Sequence, residues 1–336
     1  MLRIDPVYVA AARNAKSGAD LHEPLQKAIE LELSTIPPYL TAVYSIMPGT
    51  NKEIKRTIFK VAKEEMLHMT IVANVLNAVD GRPLIADPKA APVYPGPLPM
   101  NIGGSLQVGL KKFSVELVHD VFMKIEAPET IIPFSASFAT IGEFYRSIIE
   151  KIDQLGDAIF TGDPGRQVVD EDSFPSDQLY AITDAATAVK ALKRVVEDGE
   201  GTTLTPLDVD GKFAHFYLFE GIYRGAELVV NPAAQNGYSY TGNPLIFDPT
   251  GVWDIPDNPK AADYPVGSAE RTKVDGFNKA YSNMLRGLQN VFDGSPGGIT
   301  GAVGAMSSLR ELAESVVSTP DSHTGKQLGL PFEYVP

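Results

Sequence analysis

The segment VAKEEMLHMT, Val61 to Thr70, places a carboxylate and an imidazole, Glu65 and His68, among apolar residues at helical spacing. Positions three and four apart share a helix face, so Glu65 and His68 fall with Val61, Ala62 and Met69 on the side that should be buried. Glu64 is one turn from Lys60 and reads as an outward ion-pair partner. Upstream, Glu32 lies one turn from Ala28, Ile29 and Ile36, again on an apolar stripe, whereas Glu30 neighbours Gln26, Lys27 and Ser34 and reads as a solvated acid. A lone carboxylate is costly to bury, so buried acids are paired or bind metal. The plainer pairing is a core hydrogen bond between Glu32 and His68. The alternative is metal. Glu-x-x-His on one helix, with Glu on its neighbour, is half of a dinuclear carboxylate site, and carboxylate plus imidazole suits iron or manganese.

Two helices must position these groups. The first is expected from about Asp20, with Asp20 and Glu23 as a reciprocal capping box and Pro24 tolerated in the first turn. Its stripe continues through Leu25, Ala28, Ile29 and Ile36; Pro37 and Pro38 should kink or interrupt it. Pro48 to Asn51 turns the chain, and a second helix is expected from Lys52 to Val79, ended by Asp80 to Pro83. In an antiparallel hairpin centred near Gly49, Glu32 lies 17 residues before the turn and Glu65 16 after it, at matched heights. Glu32, Glu65 and His68 would then face one point.

Six prolines between Pro83 and Pro99 preclude a regular helix and suit an extended crossover. Helical patterns follow over about Ser114–Glu126, Ile141–Leu155, Gln178–Glu197, Lys212–Leu228, Ala269–Phe292 and Ile299–Val317. Gln235 to Pro259 reads as a turn-rich loop with a small hairpin. Alternating strands are scarce, so the fold class is all-α. We divide the chain into an N-terminal extension (1–19), a helical bundle (20–230), and a loop with C-terminal helices packed on it (231–336).

Composition excludes other chemistries. The absence of cysteine removes disulfides, thiolate zinc sites and cysteine nucleophiles. A net charge of -13 argues against nucleic acid as a partner. No run of apolar residues is long enough to span a membrane, and no signal-peptide core is visible, so cytoplasmic location is the expectation. Gly103 to Gly109 lacks the lysine of a phosphate loop.

AIELELSTIPPYLTAVYSI, EEMLHMTIVANVLNAVDGRP, YPGPLP and KIEAPE together resemble the ferritin-like domain of the iminophenyl-pyruvate dimer synthase type, and TIGEFY, EDGEGT and HFYLFEGIYRG continue the likeness in order. It runs from about Leu21 to Tyr334. The resemblance implies a ferritin-like bundle with a carboxylate-bridged pair of iron or manganese ions and O2 as co-substrate. It does not carry over the dimer-synthase reaction, because those synthases are much longer.

A full site of this kind has a second imidazole. Of five histidines, His22 lies in a capping turn and His323 in a polar tail, leaving His119 and His215. The resemblance favours His215, with Glu143 of TIGEFY and Glu200 of EDGEGT as carboxylates; Glu150, Glu197 and Glu220 are further acids nearby. Spacing favours Glu116-x-x-His119 with Glu126, although Glu116 rotates toward Asp120 while Val115, Phe122 and Glu126 share the face of His119. We take Glu32, Glu65, His68, Glu143, Glu200 and His215 as the metal set. Tyr39, Tyr44, Phe144, Tyr145, Phe216, Tyr217 and Tyr223 read as bundle core. The expected function is a dinuclear non-haem oxidase or oxygenase acting on a small, amino-acid-derived molecule; the alternative is a non-catalytic iron-binding or ferroxidase-like protein. A homo-oligomer is compatible with either.

Overall fold

The computed structural model describes residues 4–104, 106–128, 140–169, 174–201 and 205–336, and for Glu200, Val303 and Ser307 the backbone alone. The described chain is mostly helical. Helix α1 (Pro6–Asn14) opens at Asp5, whose side chain accepts from Val7 N. Helices α2 (His22–Ser45) and α3 (Lys52–Ala78) follow as a long hairpin. Gly49, at φ +85°, supplies the left-handed residue in the turn between them. Nearly every apolar side chain of both stripes is buried.

Two local expectations for α2 are corrected. Asp20 and Glu23 do not form a capping box. Asp20 accepts instead from Lys16 N and Ser17 Oγ, both at 2.9 Å, and so shapes the turn before the helix. Pro37 and Pro38 do not interrupt α2, which runs through both. Pro38 cannot donate to the Ser34 carbonyl, and the Tyr94 hydroxyl takes that place at 2.7 Å. Tyr94 comes from the proline-rich crossover, so the crossover repairs the helix that it covers. Gln289 holds the same crossover down: its Oε1 accepts from Ile85 N at 2.8 Å and its Nε2 donates to the Pro83 carbonyl at 2.8 Å.

The next helix, α4, consists of Val115–Leu117, a π-helical turn Val118–Phe122, and Met123–Ile125. Helix α5 (Ile141–Leu155) begins at the Thr140 cap, and α6 (Ala185–Glu200) at an Asp184–Thr187 capping box. Helix α7 (His215–Arg224) ends at Gly225 in the left-handed region. Strands β1 (Ala226–Val230) and β2 (Tyr238–Pro244) then pair as an antiparallel hairpin, of which only β2 lies in the turn-rich stretch; β1 begins within the segment expected as helix to Leu228. Helices α8 (Ala269–Phe292) and α9 (Ile299–Val317) form a second helical pair. The α2–α3 hairpin is central: α5, α6 and α7 pack against one side of it, and α8 and α9 against another. No described helix is long and apolar enough to cross a membrane.

Candidate metal centre

The α2–α3 hairpin brings Glu32, Glu65 and His68 together, all buried. His68 Nδ1 lies 3.8 Å from Glu32 Oε2 and 3.6 Å from Glu65 Oε2. From the opposite side the first residue of α7 brings in His215, whose Nδ1 lies 2.9 Å from Glu65 Oε1 and 3.5 Å from Glu126 Oε2. Two buried triads result, Glu32–Glu65–His68 and Glu65–Glu126–His215, each with its ligand atoms within 4.8 Å of one another. Glu65 belongs to both, presenting one oxygen toward each imidazole. The two rings face each other at 5.5 Å between centroids.

Each imidazole turns its second nitrogen to an outer carboxylate. His68 Nε2 bonds Asp198 Oδ2 at 3.2 Å, and His215 Nε2 lies 3.3 Å from Glu64 Oε2. A carboxylate behind a ligating histidine fixes the ring and strengthens it as a donor. Behind Asp198 stands Arg194, 3.9 Å away and itself held by Asp210. Two tyrosines complete the ring of supports. The Tyr39 hydroxyl donates to Glu126 Oε1 at 2.5 Å, and that of Tyr145 donates to Glu32 Oε1. Each outer glutamate therefore keeps one oxygen occupied by a phenol and the other turned inward.

The electrostatics follow from burial. Burial is the largest influence on Glu32 and, with the charge on Glu65, pushes its carboxyl well above the usual range. Burial also pushes Glu65 up, but the two imidazoles beside it outweigh that and hold it lowered. Burial opposes charge on His68, yet Asp198 and Glu65 override it and raise its pKa to about 10. His215 is likewise raised well above its ordinary value, against burial, by Glu126, Glu64 and Glu65. The surrounding carboxylates thus favour the charged form of both imidazoles.

The donor set fits a pair of metal ions. Both nitrogens of His215 are buried without a hydrogen-bond partner of acceptable geometry, although carboxylate oxygens are close. An ion among Glu65, Glu126 and His215 would satisfy the Nδ1 atom, while Nε2 faces Glu64 on the outer side. All donors are carboxylate or imidazole, the hard-to-intermediate set that suits iron or manganese.

The remaining expected residues are placed differently. Glu143 does not reach the cluster; as the third residue of α5, beyond the Thr140 cap, it pairs with Arg13 at 2.7 Å on the surface. The side chain of Glu200 lies outside the described residues. Glu116 and His119 are exposed, and His119 pairs with Asp120 and stacks on Tyr223. The π-helical turn explains this: its wider turn breaks the α-helical register, so Phe122 and Glu126 are buried while His119 is left outside. Glu150 is exposed and Glu197 partly so. Glu220 bonds Arg224 and Tyr240, away from the triads. Glu64 does meet Lys60, at 3.5 Å, but is not simply outward, since it also faces His215. Asp198 was missed, although it continues the buried stripe of Ala191 and Val195.

A ferritin-like family model matches residues 25–224 of this 336-residue chain, a span that holds all five residues of the two triads. The chain belongs to the ferritin-like family. Within that family it is 25% identical to dichlorochromopyrrolate synthase of Lentzea aerocolonigenes, over 98% of this chain and 37% of that protein. It thus spans little more than a third of that relative's length. The crystal structure of a ferritin-like protein from Caulobacter vibrioides shares the fold, with a TM-score of 0.63 and 24% identity over 94% of this chain and 97% of that one.

Proposed function

We propose that this ferritin-like chain is a dinuclear non-haem iron or manganese oxidoreductase that uses O2 on a small organic molecule, of amino-acid-derived type. The observation that carries it is the pair of buried Glu/His triads sharing Glu65. Glu32, Glu65 and His68 would hold one ion, and Glu65, Glu126 and His215 the other. Bound there, a redox-active pair supplies the electrons that spin-restricted O2 needs. A biosynthetic relative that aligns with nearly the whole chain supports an organic substrate.

The protein's own part is positioning and proton control. Tyr39 and Tyr145 keep their protons, since burial and the adjacent carboxylates push both phenols well above their ordinary range. Each phenol thus orients a ligating glutamate and holds a proton at the edge of the site. Asp198 bonds the His68 ring, and Glu64 faces the second nitrogen of His215. Ile125, Ile141 and Val195 line a cavity of about 50 Å³ beside Glu32, Glu65 and Glu126.

That small cavity is also the observation that favours a second reading, a ferroxidase-like or iron-binding role. At about 30 Å³ per water it admits O2 or one or two waters rather than a whole organic molecule. Oxygen uptake after anaerobic Fe(II) loading separates the two. Turnover beyond the bound metal that depends on an added α-amino or α-imino acid supports the oxidase. Repeated Fe(II) oxidation with no organic dependence supports the ferroxidase and overturns the proposal.

A further inference from the structure

A second and larger cavity, about 310 Å³, lies between the α2–α3 hairpin and the C-terminal pair α8–α9. It uses a different face of the same two helices: Leu33, Ile36 and Pro37 rather than Glu32 and Thr35, and Met66 and Met69 rather than Glu65 and His68. The two cavities are separate sites. At about 30 Å³ per water-sized group, the second holds roughly ten such groups, which reaches the size class of small-molecule pockets.

Two features go beyond packing. Tyr281 lines this cavity, is only 1% exposed, and its hydroxyl has no hydrogen-bond partner. Burial pushes that phenol well above its ordinary range, so it is a donor at physiological pH, and it has nothing to donate to. The cavity's cations, Lys63 and Arg310, are by contrast exposed. Arg310 shares its Nε with Glu314 at 3.0 Å; Lys63 lies over the Phe174 ring at 5.5 Å and has no carboxylate partner among the described residues. The lining between these ends includes Met66, Met69, Met284 and Met306, unbranched side chains that adapt to irregular apolar shapes.

The geometry points to a binding site for an amphipathic monocarboxylate whose apolar body carries a further oxygen acceptor. The carboxylate meets Lys63 and Arg310 at the mouth, the body packs among the methionines, and the inner oxygen accepts from Tyr281, whose hydroxyl is closed off from the empty cavity and turns to it on binding. The site does not depend on the metal centre, so binding persists in chelator-stripped protein.

Calorimetric titration of the full chain with 10-hydroxydecanoate, and with decanoate as its acceptor-free counterpart, tests this. We expect saturable binding at one site per chain. Tyr281→Phe weakens 10-hydroxydecanoate about tenfold, the size of one net hydrogen bond, and leaves decanoate unchanged. Lys63→Glu weakens both. Met284→Trp, which fills the cavity, abolishes both while helicity by circular dichroism and metal content stay at the wild-type level. Absence of saturable binding, insensitivity to Met284→Trp, or equal weakening of both probes by Tyr281→Phe overturns the inference. None of these outcomes bears on the metal centre, whose content is measured separately.

Discussion

Loading the site with metal should release protons, and the number follows from the cluster. The perturbation is a change of pH during Mn(II) binding. Without metal, His68 is raised to about 10 and His215 well above its ordinary value, so both imidazoles are charged at neutral pH. A ligating imidazole must be neutral, so filling both positions displaces about two protons. Glu32, raised by burial and by Glu65, contributes part of a third. The sign is definite. A raised histidine stabilises the metal-free fold fully below its unfolded pKa of about 6.5, and that contribution is lost as pH rises through the folded value. Overall Mn(II) affinity for the pair of sites therefore increases with pH, by roughly 100-fold per unit for two displaced protons. Chelator competition at pH 6 to 8 gives the slope, and calorimetry in buffers of different ionisation enthalpy counts the protons. A slope near zero, or a proton count below about 0.5 per chain, would refute this electrostatic description.

Three further outcomes follow. Asp198→Ala and Glu64→Ala should each weaken metal binding about 10- to 100-fold without abolishing it, because each supports a histidine from behind; loss as complete as in His68→Ala, by metal titration, would make them ligands. Glu126→Ala should remove one metal per chain, whereas Glu116→Ala and His119→Ala should leave elemental content unchanged. Tyr94→Phe should destabilise the fold by about 1–3 kcal/mol through the unsatisfied Ser34 carbonyl, read by urea denaturation at constant metal content.

The hairpin was legible because its signal is periodic. Glu32, Glu65 and His68 stand out as polar residues on apolar stripes, and the turn at Gly49 sets their heights. Asp198 carried the same signal, three residues beyond Val195, but sits near the glycines that end α6 and read as a turn. Glu126 was obscured for a different reason. A π-helical turn has no marker in this sequence, so ideal α-helical spacing puts His119 on the buried face with it. Glu143 shows the reverse error. Its motif resembled the family's, while its position three residues after Thr140 marked an acid at a helix start, where the dipole and Arg13 hold it at the surface. His215 stands at the first residue of a helix, where periodicity says nothing, and only the resemblance pointed to it. That the prolines do not interrupt α2 is not legible locally, because the group that compensates Pro38, Tyr94, lies in the crossover, 60 residues after Ser34.

The shared position of Glu65 is the central claim, and metal stoichiometry tests it most directly. Protein reconstituted with Fe(II) anaerobically and freed of excess metal should hold about two ions per chain by elemental analysis. His68→Ala and His215→Ala should each retain about one, while Glu65→Ala should retain none, because it serves both triads. A Glu65→Ala protein that keeps one ion, or a wild-type protein that binds fewer than about 0.2 per chain, would contradict the account.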